Sequence, residues 1–294
     1  MNLEGLRPWG GLAGAALEEA DVVVAGIPYD GSATYRKGAA LAPERVRRLS
    51  AVMPPMTEDG RSLRELKVHD LGNLDPGPEI EHGWQGVAER LAALPPGAIL
   101  TVVGGDHCAM IPVLAAQARR HPGLRLVWVD AHPDLCNFSR GGSWTCGCAL
   151  RRGLEAAQLS PADLMLAGPR DFDPEEVDYA SGQDLTRIWS AELARDPIAA
   201  GRRLGEVAGG HPLHISFDID VLDPAFAPGT EIPSGGGIST RQALDFLAGL
   251  AEGSRLVGLD VAEVAPNLDQ NDITSLAALK LIFEFWGRAW KPRM

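Results

Sequence analysis

The sequence predicts an α/β fold, a mostly parallel sheet covered by helices on both faces, and three observations carry that prediction. Short apolar, β-branched runs alternate with segments of helical period, which is the rhythm of βαβ units. Four polar clusters each fall where an apolar run stops: Gly104-Gly105-Asp106-His107, Asp130-Ala131-His132-Pro133-Asp134, Asp218-Ile219-Asp220 and Asp260-Val261-Ala262-Glu263. In open parallel sheets ligands bind beyond the carboxyl ends of the strands, so one pocket could collect all four. No linker interrupts the span from His107 to Glu263, which predicts a single domain over residues 1–294.

In chain order, 21–28 is a β-branched run closed by turn residues and reads as a buried strand. The polar, glycine-punctuated stretch 29–38 is a loop, either a plain connection or a pocket wall, and a helix follows with Pro43 near its first turn. Strands are predicted at 66–71, 98–103, 124–129, 164–167, 213–217 and 255–259, with a further short one at 186–189. Helices are predicted at 80–94, 110–120, 197–207, 240–251 and 273–286. The glycine- and proline-rich segment 223–237 is a long loop placed directly after two carboxylates, a position that favours function.

Composition excludes several classes. With 45% hydrophobic and 22% charged residues the chain can bury a large core, and a net charge of −12 argues against a nucleic-acid partner, whose phosphates demand clustered cations. The stretch Met1–Gly14 lacks the pattern of a signal peptide, and no apolar run approaches the roughly 18 residues that span a bilayer, so no membrane partner is expected. Four cysteines, Cys108, Cys136, Cys146 and Cys148, read as reduced thiols and a cytoplasmic location.

The chemistry centres on Val127-Trp128-Val129-Asp130-Ala131-His132-Pro133-Asp134. Strand alternation would send Asp130 and His132 off one face, and Pro133 would end the ladder and turn Asp134 back over the strand end. Alone, this pattern also suits a helix-capping aspartate and a structural histidine. The second pair, Asp218-x-Asp220, sets two like charges together, which is costly unless a cation lies between them. With His107 the set becomes four carboxylates and two imidazoles, too many for one closed zinc site and suited to two divalent ions. Oxygen ligands with a minority of imidazole point to Mn²⁺ before Zn²⁺ or Cu²⁺. Four carboxylates neutralise two such ions, so a hydroxide held there would be balanced by a cationic substrate.

These motifs, in their order and spacing, resemble the ureohydrolase family of arginases, agmatinases and formiminoglutamases over nearly the whole chain. The likeness rests on Gly104-Gly105-Asp106-His107, Asp130-Ala131-His132-Pro133-Asp134, Ser216-Phe217-Asp218-Ile219-Asp220-Val221-Leu222-Asp223-Pro224, Ala227-Pro228-Gly229-Thr230 and Glu263. It implies a three-layer α/β/α sandwich of about eight strands and two Mn²⁺ ions per subunit. By the same resemblance His107, Asp130, Asp134 and Asp218 would hold one ion and Asp130, His132, Asp218 and Asp220 the other, with Asp130 and Asp218 bridging and Asp134 acting in catalysis as well. Glu263 is similar to the family carboxylate that grips the guanidinium nitrogens; read alone, it is a solvated turn residue. The implied partner is a small cationic guanidino or amidino compound, the implied reaction hydrolysis of its C–N bond, and the implied assembly a homo-trimer or hexamer. A metal-binding homologue without catalysis is the competing class.

Two departures from the family pattern stand out. Where arginases and agmatinases have the proton-transfer His-Gly, this chain reads Cys146-Gly147, and the thiol either handles protons or packs as a small apolar residue. Where Gly-Thr-Gly-Thr-Pro is common, Gly229-Thr230-Glu231-Ile232-Pro233 adds an anion that faces either the pocket or solvent. The substrate tail is left open. Gly26-Ile27-Pro28-Tyr29-Asp30 resembles agmatinase, whereas the segment from Gly168 to Pro174 resembles arginase. Asn137, Ser139, Arg140 and Ser143 are candidate tail contacts; Arg140 would favour a carboxylate, while Asp173 and Glu231 would favour an amine.

Overall fold

Eight strands form one sheet in which every pairing is parallel, in the order β2-β1-β3-β8-β7-β4-β5-β6. The computed structural model describes residues 5–77 and 80–291, with the backbone alone at 81 and 82; residues 1–4 of the N-terminal stretch read above lie outside them. The strands are β1 (Val22–Gly26), β2 (Val68–Asn73), β3 (Ile99–Val103), β4 (Arg125–Val129), β5 (Leu164–Ala167), β6 (Thr186–Ile188), β7 (Pro212–Asp218) and β8 (Arg255–Ala262). The helices are α1 (Ala42–Ser50), α2 (Ile80–Ala92), α3 (Ile111–Arg120), α4 (Ala149–Ala157), α5 (Pro174–Ser181), α6 (Ser190–Arg195), α7 (Pro197–Ala208), α8 (Thr240–Ala251) and α9 (Ile273–Ala289).

Both faces of the sheet are apolar, so strand side chains alternate between two cores. Val22, Val24, Val127 and Val129 pack against α1, α7, α8 and α9, while Val23, Ala25, Leu126 and Trp128 pack against α2, α3 and α4. The result is the three-layer sandwich. No helix among the described residues is long and apolar enough to cross a membrane.

The differences from expectation have local causes. α4, α5 and α6 go beyond the predicted elements: at nine, eight and six residues each is shorter than the window of about 11 to 18 in which a helical period registers, whereas α1, also nine residues, is marked by Pro43. β2 starts two residues later than predicted because the amide of Leu66 closes a turn onto Leu63 O, at 2.9 Å, instead of entering the ladder. β7 and β8 run further, to Asp218 and Ala262. β4 stops at Val129, so Asp130 and His132 do not share a strand face as the alternation argument required.

The four central strands, β3, β8, β7 and β4, are neighbours, and their carboxyl ends carry the four polar clusters. Gly105 fastens three of the emerging loops. A Cβ there would lie 1.7 Å from Tyr29 O, so only glycine lets the two backbones meet; Asp106 N then donates to Tyr29 O at 2.7 Å and Glu263 N to Gly105 O at 2.9 Å. Gly105→Ala is expected to lower stability by about 1–3 kcal/mol, the usual cost of forcing a methyl group into a packed site. Urea unfolding reads this, and an unchanged midpoint would show that the approach is not required.

Candidate metal centre and pocket

Each aspartate pair is built by a turn that the first member itself makes. Asp130 Oδ1 accepts from His132 N at 2.7 Å, and Asp218 Oδ1 accepts from Asp220 N at 2.8 Å. A short acidic side chain that captures the amide two residues on bends the chain sharply at the strand end. The turn therefore brings the second side chain back beside the first, doing what strand alternation was expected to do. Asp220 Oδ1 accepts from Ala131 N at 3.2 Å, tying the β7 turn to the β4 turn. Asp134 reaches the same site through a left-handed backbone, φ 53°.

The six expected ligands converge. His107 Nδ1 lies 3.0 Å from Asp130 Oδ2, 3.0 Å from Asp218 Oδ2 and 3.4 Å from Asp134 Oδ2. His132 Nδ1 lies 3.0 Å from Asp220 Oδ2 and 3.6 Å from Asp130 Oδ1. Two groups with metal-binding spacing result, His107-Asp130-Asp218 and Asp130-His132-Asp220, with Asp130 common to both. All four aspartates are buried. Burial, then the charge of Asp130, holds the Asp134 carboxyl well above the usual range, and burial with Asp220 and Asp130 does the same to Asp218. Burial would also raise Asp130, but the two histidines outweigh it and hold that carboxyl low. Burial opposes a charge on His107 and His132, yet the surrounding carboxylates raise both imidazoles. The cluster holds cations wherever it can.

Hydrogen bonding fixes which nitrogen of His107 faces the carboxylates. Gln117 Nε2 donates toward His214 Nδ1 (3.2 Å), leaving His214 Nε2–H to donate to Asp260 Oδ2 at 2.6 Å. Ser216 Oγ spends its proton on Asp260 Oδ1, also at 2.6 Å, so it must accept from His107 Nε2 at 3.0 Å. His107 therefore keeps its Nε2 hydrogen on Ser216 and turns Nδ1 to the aspartates, the atom that would offer a lone pair to a metal in exchange for its proton; that buried atom makes no aligned hydrogen bond. The Trp128 ring stacks on the imidazole with centroids 3.8 Å apart, and its Nε1 donates to Asp130 Oδ2 at 2.9 Å. A buried, oriented lone pair among carboxylates is the donor set of a divalent-cation site.

Above the ligands lies a cavity of about 280 Å³ lined by His107, His132, Asp134, Asp218, Asp220, Arg140, Cys146, Asp173, Glu176, Glu231 and Glu263 among others. Glu231 is buried and faces this cavity, not solvent: Oε1 accepts from Tyr35 N at 2.7 Å, and Arg36 clamps the Thr230 and Glu231 carbonyls at 2.8 and 3.0 Å. Glu263 is buried too, with Oε1 accepting from His107 N at 2.9 Å. Cys146 is half-buried, its Sγ 3.6 Å from Glu263 Oε1 and 3.9 Å from Glu231 Oε2. A hydrogen bond with Cys108, burial and the charges of Asp106 and Glu263 push its thiol well above the ordinary value. Asn137 is not brought to the cavity: it is exposed, and its Oδ1 accepts from Arg152 at 2.8 Å.

Sequence reasoning missed the support of this site. Arg170 donates to Asp220 O, Val221 O and Ser234 O at 2.7, 3.2 and 2.8 Å, so it knits the β7 turn to the long loop. Glu176, raised to about 7 by burial, accepts from Leu135 N at 2.9 Å and Asp173 N at 2.8 Å, pinning the loop after Asp134 onto α5. The one available signal was His214-x-Ser216-x-Asp218, polar residues at every second position of an otherwise apolar strand.

The chain is similar to known proteins over most of its length. The model of the arginase family matches residues 20–287. Proclavaminate amidinohydrolase of Streptomyces clavuligerus is 33% identical over 268 residues, covering 89% of this chain and 85% of that protein. The solved structure of that relative superposes with a TM-score of 0.86 at 30% identity, covering 97% and 98% of the two chains. An agmatinase of Neisseria meningitidis serogroup C is 33% identical over 274 residues (90% and 86% covered), and guanidinopropionase of Pseudomonas aeruginosa is 34% identical over 272 residues (88% and 83% covered).

Ser216→Ala removes the acceptor that orients His107 and strands a proton acceptor on Asp260. It is expected to weaken divalent-metal binding about 10–100-fold, with the far-UV spectrum unchanged. Calorimetric Mn²⁺ titration of the two proteins measures this; equal affinities would remove the hydrogen-bond chain from any role in ligation.

Proposed function

This chain belongs to the arginase family, and from that membership we infer that it hydrolyses a guanidino or related amidino compound with two Mn²⁺ ions. The observation that carries the reading is the six-residue cluster of four buried aspartates and two histidines opening onto a cavity that also presents Glu263. His107, Asp130, Asp134 and Asp218 would hold one ion and Asp130, His132, Asp218 and Asp220 the other. Spatial grouping supports Asp130 as a bridge most directly, since it alone belongs to both groups. When bound, the metals supply a nucleophile at neutral pH by acidifying water.

The rest is done by the protein. Glu263, fixed by the His107 amide, binds the guanidinium and turns its carbon toward the aspartates. Water adds to that carbon, the C–N bond to the tail breaks, and a proton passes from the water to the departing nitrogen. Asp134, whose left-handed backbone aims it into the cavity wall, is the residue proposed to carry that proton. A hydrogen bond with Cys108, burial and the neighbouring carboxylates hold Cys146 as a thiol, so it is better suited to donate a hydrogen bond to Glu263 than to cycle protons. Arg140 and Asp173, at the mouth of the cavity, are proposed to contact the substrate tail. The names of the relatives, an amidinohydrolase, an agmatinase and a guanidinopropionase, support a guanidino head group joined to a variable tail. Four free cysteines support a reducing, cytoplasmic setting, and a trimer or hexamer is proposed on family resemblance.

Two experiments test the reading. A panel of guanidino and formimino compounds, assayed after Mn²⁺ loading for urea and amine together, should reveal at least one substrate, and Glu263→Gln should lower its kcat/KM by about 10²–10³-fold. Metal binding without turnover on any of them would mark a non-catalytic homologue. Cys146→Ser should change kcat by less than about tenfold and leave the pH–rate profile in place; a displaced profile would restore the thiol to proton transfer.

A further inference from the structure

Glu231 does not belong to the metal cluster, yet it is buried in the cavity wall beside the carboxylate assigned to the guanidinium. One oxygen of Glu231, one of Glu263 and Cys146 Sγ lie within 4.8 Å of one another. Each carboxylate is held by a separate backbone amide: Glu231 Oε1 by Tyr35 N at 2.7 Å and Glu263 Oε1 by His107 N at 2.9 Å. The Arg36 guanidinium binds only the carbonyls of this loop, so the Glu231 side chain keeps no cationic partner from it. Glu263 is 5% exposed and its Oε2 receives no hydrogen bond from the protein, a buried acceptor that waits for a donor.

We propose that Glu231 and Glu263 together form a two-carboxylate seat that grips two different edges of one guanidinium, so that Glu231 selects head groups with at least two free N–H edges. The proposal rests on the reading of the site as a guanidino hydrolase and sharpens its substrate class. A guanidinium is a planar fork whose adjacent nitrogens offer parallel N–H pairs, each matched to a carboxylate. Unsubstituted and N-monosubstituted guanidinium ions present two or more such edges. An amidinium, such as a formimino group, presents one, and so does an N,N-dialkylguanidinium, whose remaining edges are blocked by alkyl carbon. With such a ligand the second carboxylate stays buried and unpaired, which is where discrimination comes from. Cys146, in contact with both carboxylates, is small enough to leave the space between them to the ligand.

Equilibrium binding tests this without turnover. Guanidinium chloride, acetamidinium chloride and 1,1-dimethylguanidinium chloride are titrated calorimetrically into Mn²⁺-loaded wild type, Glu231→Gln and Glu231→Gly, with metal content and far-UV spectra checked for each. Wild type should bind guanidinium about tenfold or more tightly than either one-edged ion, and both variants should reduce that preference to about threefold or less. Equal affinities in wild type, retained discrimination in a folded variant, or no guanidinium binding to wild type would each overturn the proposal. None of these depends on a substrate having been found, so failure here is distinct from failure of the hydrolase reading.

Discussion

Four aspartates buried within a few ångströms of one another at the centre of a sheet edge are the constraint on which this structure turns. Among the described residues two imidazoles face them, and burial with mutual repulsion holds Asp134 and Asp218 well above the usual carboxyl range. Everything around them limits how they can relax. The sheet delivers them from two adjacent strands, β4 and β7, and the two aspartate-centred turns, at Asp130 and Asp218, use one carboxylate oxygen of each to bend the chain. The other oxygen of each is left facing His107 at 3.0 Å. A compact positive charge between them would satisfy such an arrangement, and metal binding would then be linked to folding.

Behind the ligands the interior is polar in a single line. Gln117, His214, Asp260, Ser216 and His107 form a hydrogen-bonded chain through the sheet, and its direction follows from the donors available at each step. Such a chain, fully buried, holds the imidazole in one orientation, with Nε2 on Ser216 and Nδ1 toward the aspartates. Arg170 and Glu176 do the same for backbone, one gathering carbonyls after β7 and the other amides after Asp134.

Much of this was legible in the sequence because apolar runs and the polar residues that end them are strong, local signals. The strands, the parallel sheet and the convergence of the six candidate ligand residues at its edge could all be read from it. The route by which Asp130 and His132 meet could not, since period-2 alternation and an aspartate turn predict the same neighbours from different backbones. Short helices leave too little period to detect, and α5 is masked further because the sequence offers its cap, Asp173, equally as a substrate contact. The facing of Glu231 was undecidable from sequence: it is set by the amide of Tyr35, 196 residues away in the chain. Asn137 shows the reverse failure, a polar residue beside a motif whose side chain is engaged by Arg152.

The two positions where the chain leaves its family's pattern, Cys146 and Glu231, touch each other at 3.9 Å and flank the same glutamate, so the departures are one local change in the wall around the reacting group. That change leaves the metal cluster intact, and the cluster is where the whole interpretation stands or falls. The most direct measurement is the Mn²⁺ content of chelator-stripped and reloaded protein, taken with its thermal midpoint. Two ions per chain with a raised midpoint are predicted, each site filled to 100 times its dissociation constant adding about 2.7 kcal/mol. A single ion, or a midpoint indifferent to metal, would contradict a binuclear centre built by these six side chains.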